Sequence, residues 1–493
     1  MRRREFGRAL ENSYAALPSR FFSRVRPAAV ARPQLIRFNT ALASELDLQG
    51  EAGGDDWAAL LCGNVLARGC DPIAMAYAGH QFGHFVPQLG DGRAILLGEV
   101  RDLNGERRDV QLKGAGRTPY SRNGDGRAAL GPVLREYLVS EAMHALGVPA
   151  TRSLAVVATG ETVLRERPLP GAILTRVAAG HVRVGTFQYF AARGDQEALK
   201  LLADYVIERH YPELRPNANP YLDLLRAVVG RQARLVASWM HVGFIHGVMN
   251  TDNMAISGET IDFGPCAFID GYDPMAVYSS IDHQGRYAYA NQPVAAQWNL
   301  ARLAETLLPL IDPVGERALE FATGVIGEFT QAFEDCWLAG ARRKVGLFSQ
   351  EDEDAALVRE LLEAMRQNHA DFTLTFRRLC EAAENATADA AVANLFSDAE
   401  AYHRWAQRWR SRLAREPHHG GERAAAMRRA NPGVIPRNHR IEEVIVAAER
   451  GDLTPFAALD AVLSRPFEDT AASSAYAQAP RPDERVAQTF CGT

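Results

Sequence analysis

Residues 246–264 contain the side chains with the clearest chemical meaning in this sequence. Asn253 supplies an amide oxygen and Asp262 a carboxylate, and a divalent cation such as Mg²⁺ accepts both kinds of oxygen ligand. Ser257 and Gly258, midway between them, have the composition of a tight two-residue turn. If the chain forms a β-hairpin about that turn, Asn253 lies opposite Asp262 with Cβ atoms about 4.5–5.5 Å apart. The spacing therefore predicts a hairpin that clamps one metal ion.

The same segment follows the order of the catalytic and metal-binding loops of protein kinases. His246 and Asn253 are seven residues apart, which is the spacing between the histidine and the metal-binding asparagine of a kinase catalytic loop. Asp262 begins an Asp-Phe-Gly triplet, in which a kinase aspartate holds magnesium. Asparagine and aspartate beside a turn also cap turns without binding metal, so this structural interpretation stays open for the segment taken alone.

Upstream residues favour a nucleotide site. Lys113 ends an apolar stretch and Glu136 lies in the next predicted helix, the order in which a kinase keeps its phosphate-binding lysine and the carboxylate that orients it. An unpaired ammonium at the end of a buried strand would be costly. Gly90 and Gly92 precede the lysine strand where a kinase has its phosphate-covering loop, although alone they would indicate only a turn. Together these residues predict a kinase-type nucleotide site.

Two features depart from an ordinary kinase. Val248 stands two residues after His246, where a kinase has its catalytic aspartate, and its side chain cannot accept a proton. Asp252 is the nearby carboxylate that could replace it. Arginines are also unusually frequent in or near the small lobe. Most surface arginines are only solvated, but this set suggests a triphosphate in an unusual pose, because guanidinium groups bind phosphate through paired N–H groups. The set comprises Arg93, Arg117, Arg122, Arg127, Arg176 and Arg183.

The elements that must position these residues predict an α+β fold of the protein-kinase type. Residues 94–100 and 109–113 flank Asn104 and Gly105, a pair typical of a tight antiparallel hairpin. A helix is predicted over residues 132–146, and helical periodicity dominates from about residue 196. We therefore expect a small antiparallel-sheet N-lobe and a mainly helical C-lobe, with helical extensions at both ends.

The predicted domain boundaries follow these changes of pattern. The last segment mixes Ala, Ser, Pro and charged residues with little periodicity, which is typical of a flexible tail. The predicted units are an N-terminal extension (1–75), an N-lobe with the glycine-rich loop, lysine strand and glutamate helix (76–190), a helical C-lobe with the metal-binding hairpin (191–410), a C-terminal helical extension (411–467) and a flexible tail (468–493).

Composition excludes several classes of function. The chain has 493 residues, 47% of them hydrophobic, and a formal net charge of -5, whereas binding to nucleic-acid phosphates or anionic lipid needs a basic excess. No apolar run approaches the roughly 18 residues that cross a bilayer. The six cysteines are sparse and show no paired metal-site spacing. We therefore expect a cytoplasmic monomer that binds neither nucleic acid nor membrane.

Longer blocks of the sequence resemble the selenoprotein O family, also known as YdiU. The resemblance covers most of the chain and implies a protein-kinase-like fold. The family binds ATP in a flipped orientation and transfers AMP, rather than phosphate, to hydroxyl groups of proteins, and some members also use UTP. The blocks that carry the resemblance are residues 77–83, 88–94, 111–116, 117–122, 246–264 and 431–439.

The resemblance also implies roles for individual residues. Asn253 and Asp262 would hold Mg²⁺ or Mn²⁺, and Glu136 would support Lys113. Asp252 would accept the proton of the attacking Ser, Thr or Tyr hydroxyl of a protein substrate. ATP would be the co-substrate, and the residues implied to contact it are Gly90, Gly92, Arg93, Lys113, Asp125, Gly126, Arg176, Arg183 and Asp262.

Two other classes of function remain open on the residues alone. One is an ordinary kinase for a protein or a small molecule, with Asp252 in place of the missing base. The other is an inactive nucleotide-binding scaffold, although a scaffold has no need of the complete set formed by Lys113, Glu136, Asn253 and Asp262.

The cysteines suggest a hypothesis of redox control. Some members of the family carry a selenocysteine near the C-terminus, and Cys491 occupies a comparable place here. Cys266 lies two residues after Gly264, where a kinase activation segment begins. Oxidation could join these cysteines, fold the tail across the site and lower activity. Two free thiols are the alternative.

Overall fold

A computed structural model of the chain describes residues 9–48 and 55–490. The strands are β1 (Phe22–Arg24), β2 (Gln34–Phe38), β3 (Ile73–Met75), β4 (Gly79–Gln81), β5 (His84–Val86), β6 (Ala94–Arg101), β7 (Arg107–Lys113), β8 (Ala128–Ala129), β9 (Arg152–Leu164), β10 (Pro168–Ala178), β11 (Phe244–Ile245) and β12 (Ala267–Phe268). The helices of the first half are α1 (Thr40–Glu45), α2 (Asp55–Leu61), α3 (Leu130–Ala145), α4 (Val184–Ala191), α5 (Gln196–His210) and α6 (Pro220–Val242). Those of the second half are α7 (Gln292–Ile311), α8 (Gly315–Lys344), α9 (Asp354–Asn368), α10 (Phe372–Ala382), α11 (Asp389–Ala393), α12 (Ala399–Leu413), α13 (Gly420–Ala430), α14 (Asn438–Glu449), α15 (Thr454–Leu463) and α16 (Ala471–Ala477).

One antiparallel sheet forms the smaller lobe. Its strands run in the order β1-β3-β6-β7-β10-β9-β2, and the short β8 pairs with β10. The predicted hairpin about Asn104 and Gly105 is confirmed, because β6 and β7 pair from Ala94 opposite Lys113 to Arg101 opposite Arg107. Lys113 therefore ends a central strand.

Helices cover both faces of this sheet. Leu134 and Leu138 of α3 share one apolar core with sheet residues such as Leu174. On the opposite face, Trp57 of α2 packs in a separate core with Leu112. The outer side of α3 is covered in turn by α14 and α15, so that this helix is buried on nearly all sides. The helix predicted over 132–146 is thus confirmed as α3, held between the sheet and the C-terminal helices.

The larger lobe is helical. The long helices α6, α7 and α8 contribute to the same core as α3, and α9 to α13 surround a second core that includes Trp405 and Trp409. The predicted α+β fold, with a small antiparallel-sheet lobe and a mainly helical lobe of the protein-kinase type, is confirmed. None of the described helices is both long and apolar enough to cross a membrane.

The sheet and its packing do not follow the predicted segment boundaries. Strands β1, β2 and β3 precede residue 76 yet belong to the same sheet as β6 and β7. Helices α14 and α15 pack on α3 of the small lobe rather than standing apart. The segment predicted as a flexible tail contains α16, and Thr489 pairs with Ser279. A seven-residue helix of Ala, Ser and Tyr has too little periodicity to be seen in the sequence.

Candidate active site

A cavity of about 860 Å³ lies between the sheet and the helical lobe. Among the described residues, seven Arg or Lys side chains and four Asp side chains line it, so that this part of its wall is positive overall. Of the six arginines singled out in the sequence, only Arg117 is not part of this wall. The predicted site residues that line the cavity are Gly90, Gly92, Arg93, Lys113, Asp125, Gly126, Arg176, Arg183, Asp252, Asn253 and Asp262.

Three cations converge on the carboxylate of Asp262. Lys113 Nζ donates to Asp262 Oδ1 at 2.9 Å and to Glu136 Oε2 at 2.6 Å. Arg176 donates to the same two carboxylates, with its Nη2 2.6 Å from Asp262 Oδ1 and its Nε 3.0 Å from Glu136 Oε1. Arg183 Nη1 lies 2.7 Å from Asp262 Oδ2. Glu136 does not line the cavity. It accepts hydrogen bonds from Lys113 and Arg176 and so holds these two cations in position.

Lys113, Arg176, Arg183 and the two carboxylates form a cluster with a net positive charge, and all of these side chains are largely shielded from solvent. Burial alone would raise the pKa of Asp262, but Lys113, Arg176 and Arg183 outweigh it and hold this pKa well below its usual range. The pKa of Glu136 is also lowered, because Arg176 and Lys113 overcome the effect of burial. Two ionised carboxylates therefore face three cations, and an anion entering the cavity meets uncompensated positive charge.

Asn253 and Asp262 have the donor atoms for a divalent cation. Asn253 Nδ2 donates to the carbonyl of Val248 at 2.9 Å, and among the described residues nothing donates to its Oδ1. Both side chains line the same cavity. The part of the chain that is described has no cluster of three or more His, Cys, Asp or Glu side chains suited to a metal. A metal here would therefore take further oxygens from phosphate or water, as Mg²⁺ commonly does.

The predicted β-hairpin between these two residues is wrong. Its arms do not pair with each other. Ala255 forms an antiparallel bridge with Arg183, and Thr260 forms a parallel bridge with Ala150. Residues on other elements thus compete successfully for the backbone groups that the hairpin would have used, and a local turn signal cannot reveal such partners.

Tertiary contacts instead bring the two candidate ligands to one cavity. Asn253 ends a short 3-10 turn, Thr251–Asn253, and Asp262 adopts a left-handed backbone with φ of 64°. The backbone just before Asp262 is fixed by His246, whose Nε2 lies 2.9 Å from the carbonyl oxygen of Ile261. A left-handed backbone costs energy at a residue other than glycine, and such strained residues cluster at functional sites.

Asp252 is enclosed by a small hairpin of the sheet lobe, β4 and β5. Gln81 Nε2 donates to Asp252 Oδ2 at 3.3 Å, and Oδ1 has no hydrogen-bond partner among the described residues. A Cβ at Gly79 would lie 2.4 Å from that Oδ1, so only glycine fits there. Burial raises the pKa of Asp252 to about 6 although Arg183 opposes the shift.

Other contacts anchor the same hairpin to the loop that carries Asp252. The backbone N–H of His80 donates to Thr251 Oγ1 at 2.7 Å, and that of Phe82 donates to Asn250 Oδ1 at 3.0 Å. The types and spacing of residues predict no role for Gln81 or Asn250. Both residues lie in blocks that carry the family resemblance, 77–83 and 246–264. The sequence gives no indication that these two blocks are in contact.

Two glycines let backbone approach the cavity closely. Gly90 has φ of +75° and would place a Cβ 2.3 Å from the ring of Tyr120. Gly126 has φ of +69° and would place a Cβ 2.1 Å from the carbonyl oxygen of Gly116.

Asp125, the residue before Gly126, forms an ion pair with Arg165 at 2.9 Å. The hydrogen bonds from Arg165 lower the pKa of Asp125. The carboxylate of Asp125 therefore orients Arg165 at the cavity wall. Arg165 was not among the arginines that the sequence singled out.

The C-terminal segment reaches the mouth of the cavity. Thr489 N donates to the carbonyl of Tyr278 at 2.7 Å, and Thr489 Oγ1 donates to the carbonyl of Pro265 at 2.5 Å. Cys266 follows Pro265 in the chain and is buried, and burial raises the pKa of its thiol to about 12. Cys491 lies outside the described residues. The disulfide hypothesis therefore stays a prediction, and the buried thiol of Cys266 would have to be uncovered before it could react.

Comparison with known proteins gives consistent matches over almost the whole chain. The family model described as "Protein adenylyltransferase SelO" matches residues 6–464. A protein nucleotidyltransferase YdiU of Rhizobium meliloti is 64% identical over 484 residues, which cover 98% of this chain and 99% of the relative. Proteins of the same description from Rhizobium rhizogenes and a Bradyrhizobium species are each 62% identical, with 98% of this chain covered and 96% and 99% of the relatives.

Proposed function

This chain belongs to the SelO family of protein nucleotidyltransferases, and we propose that it transfers AMP from ATP to Ser, Thr or Tyr hydroxyls of other proteins, with release of pyrophosphate. UTP is a second donor in this proposal. One observation carries it above all. Asp252 and the cluster of Lys113, Arg176 and Arg183 share a cavity in which Val248 leaves the kinase base position without a proton acceptor.

The positive cluster suits the leaving group of such a transfer. A nucleotide bound in the flipped orientation presents its α-phosphate to the acceptor and its outer phosphates to Lys113, Arg176 and Arg183. The negative charge that develops on pyrophosphate is then stabilised by donors that are already in place. Asn253 and Asp262 would hold Mg²⁺ or Mn²⁺, which supplies neutralisation of phosphate charge when bound.

Asp252 accepts the proton in this proposal. The acceptor oxygen bonds to the α-phosphorus as the bond from that phosphorus to pyrophosphate breaks, and the hydroxyl proton passes to the carboxylate. Its Oδ1 accepts no hydrogen bond from the described residues and is buried against Gly79, so the β4–β5 hairpin has to move aside before the hydroxyl can reach this oxygen. Gln81 occupies Oδ2 and so fixes the orientation of the group.

Labelled ATP tests the proposal against its alternatives. The purified protein and acceptor proteins are incubated with ATP that carries label on either the α or the γ phosphate. We expect only the α label to remain on protein after denaturing wash. Retention of the γ label would show a kinase with Asp252 as a substitute base, and retention of neither, with nucleotide still bound, would show an inactive scaffold.

A substitution at Gln81 tests the positioning of Asp252. We expect Gln81→Ala to lower kcat about tenfold, because a hydrogen bond of this kind contributes roughly 1 kcal/mol or somewhat more when one partner is charged. The affinity for ATP should not change, since Gln81 touches none of Lys113, Arg176 and Arg183. Gln331→Ala is the matched control, because Gln331 bonds only an exposed Asp335. An equal loss of ATP affinity would contradict the positioning role.

The redox hypothesis has its own test. After mild oxidation, unreduced peptides are analysed by mass spectrometry, and we expect a disulfide-linked pair that contains Cys266 and Cys491, together with lower activity. Cys266→Ser should remove both effects. If the linked pair never forms while other thiols of the same sample are oxidised, the hypothesis is wrong.

The setting of the reaction follows from the sequence arguments. Sparse cysteines without paired metal-site spacing and a formal net charge of -5 favour a cytoplasmic monomer that acts on proteins and binds neither nucleic acid nor membrane. A single species of monomer mass in size-exclusion chromatography with light scattering would support the oligomeric state.

A further inference from the structure

A second cavity, of about 350 Å³, lies where the end of α3 meets the helical lobe, and no described residue lines both cavities. It is enclosed by the C-terminal ends of α3, α6 and α8 and by α13. Lys344, Arg343 and Arg429 line it together with His241, and no Asp or Glu is among the described residues of its wall. The described residues of this wall therefore carry positive charge and no compensating carboxylate.

Lys344 is the most unusual of these residues. It is one of three lysines in the chain and its side chain is only 4% exposed. Its Nζ lies 4.3 Å from the ring centre of Phe376 and 5.4 Å from that of Phe372. No described carboxylate acts on this ammonium, and Cys380 is the titratable group that influences it. A buried charge without a counterion is costly, so this ammonium lacks the anion that would stabilise it.

The three other basic side chains of the wall have no ion-pair partner among the described residues. Arg343 and Arg429 are exposed, and neither forms an ion pair with any described residue. His241 Nε2 is buried and has no hydrogen-bond partner in the described part of the chain. A Cβ at Gly340 would lie 2.0 Å from this nitrogen, so that glycine is what lets the ring sit at the wall.

We propose that this cavity binds the phosphate monoester of a small organic molecule. A phosphate dianion would match the ammonium of Lys344 and the guanidinium groups of Arg343 and Arg429, because arginine binds phosphate through two parallel N–H donors. The apolar part of the wall would take the organic body of the ligand. That part includes Leu146, Val148, Val242, Phe348, Pro432 and Phe467. The site is separate from nucleotide transfer and does not depend on the function proposed above.

Binding should be coupled to a proton on Lys344. Burial lowers the pKa of Lys344 to about 7. The groups that face it are His241 on α6, whose pKa burial lowers to about 3, Cys380 on α10, whose thiol pKa burial raises, and the cations Arg343 and Arg429. None of them is negative at neutral pH. A bound dianion favours the protonated lysine, so the protein takes up a proton on binding and affinity falls as pH rises from 7 to 9.

Isothermal titration with phenyl phosphate tests the proposal. The full-length protein is first saturated with a non-hydrolysable ATP analogue and Mg²⁺, so that the first cavity is occupied. We expect binding to the wild type, and a loss of about tenfold to hundredfold in affinity for Lys344→Met, the size that a hydrogen bond to a charged group commonly contributes. Arg429→Gln, at the exposed mouth, should weaken binding about threefold to tenfold. Lys200→Met is the control, because Lys200 is an exposed lysine paired with Asp204.

Each outcome decides the proposal. Titrations in buffers of different ionisation enthalpy should show proton uptake by the wild type and none by Lys344→Met. The proposal is overturned if phenyl phosphate does not bind the wild type, if Lys344→Met binds it unchanged, or if benzoate, a monocarboxylate of similar shape, binds equally well. Should Lys344→Met fail to fold, unchanged binding by Arg429→Gln overturns the proposal by itself.

Discussion

Asp262→Ala is expected to abolish metal-dependent nucleotide binding and to lower turnover by at least about a thousandfold. A bound divalent cation contributes several kcal/mol to the stabilisation of transferring phosphate, and about 4 kcal/mol corresponds to that factor in rate. The substitution also leaves Lys113 and Arg176 with Glu136 as their remaining shared carboxylate and takes from Arg183 its carboxylate partner. Binding of ATP without metal should therefore persist or become tighter, and titrations with and without Mg²⁺ would show this opposite behaviour.

A surface substitution of the same chemistry serves as the control. Asp204→Ala removes a carboxylate that pairs with the exposed Lys200 and should leave both titrations unchanged. If Asp262→Ala kept the full gain in ATP affinity that Mg²⁺ gives the wild type, Asp262 would not be a metal ligand. The three cations around it would then serve only to hold the fold.

Asp252→Ala has the second large effect and a different signature. We expect a fall in kcat of about 10²–10⁴-fold, the usual contribution of a general base. Nucleotide affinity should be spared, because Arg183 Nη1 donates to the backbone carbonyl of Asp252, at 2.6 Å, and not to its carboxylate. That contact survives the substitution. The rate is measured as α label transferred to protein, and the affinity by titration with a non-hydrolysable analogue.

The isosteric variant separates chemistry from packing at this position. Asp252→Asn keeps the volume of the side chain and an oxygen for Gln81, but it cannot accept a proton at neutral pH. It should be as slow as Asp252→Ala. Near-normal turnover by Asp252→Asn would assign Asp252 a positioning role, and an equal loss of nucleotide affinity in both variants would mean that it binds ATP.

The sequence predicted the parts of the site that depend on local order. Lys113 ends β7 and Glu136 lies in α3, the next helix. Both elements contact β10, and Lys113 Nζ lies 2.6 Å from Glu136 Oε2. The pairing of β6 with β7 was equally local, since a two-residue turn signal sets its register. Such features need only one contact between adjacent elements.

Features that depend on distant partners could not be predicted. Ser257 and Gly258 favoured a hairpin, yet Ala255 pairs with Arg183 and Thr260 with Ala150. Gln81 contacts Asp252, which is 171 residues away in the sequence, and no local pattern around either residue predicts this contact. The convergence of several cations on one carboxylate has the same character, because spacing shows which residues are charged but not where they meet.

Residues 431–439 have a structural role that the sequence did not predict. Its residues contributed to the family resemblance, but no chemical role followed from their types. In the structure, Asn438 exchanges two hydrogen bonds with the backbone of Phe268, at 3.1 and 2.9 Å. Arg437 donates to Asp270 and to Asp371. The block therefore braces the chain that follows Asp262 from the side away from the cavity, a role that only the packing reveals.

The location of a bound Mn²⁺ tests the central claim most directly. Crystals of the full-length protein with Mn²⁺ and a non-hydrolysable ATP analogue would be measured at the manganese absorption edge. The account predicts an anomalous peak about 2.1 Å from Asn253 Oδ1 and from an Asp262 carboxylate oxygen, with the outer phosphates on Lys113. A fully occupied metal that contacts neither Asn253 nor Asp262 would contradict it.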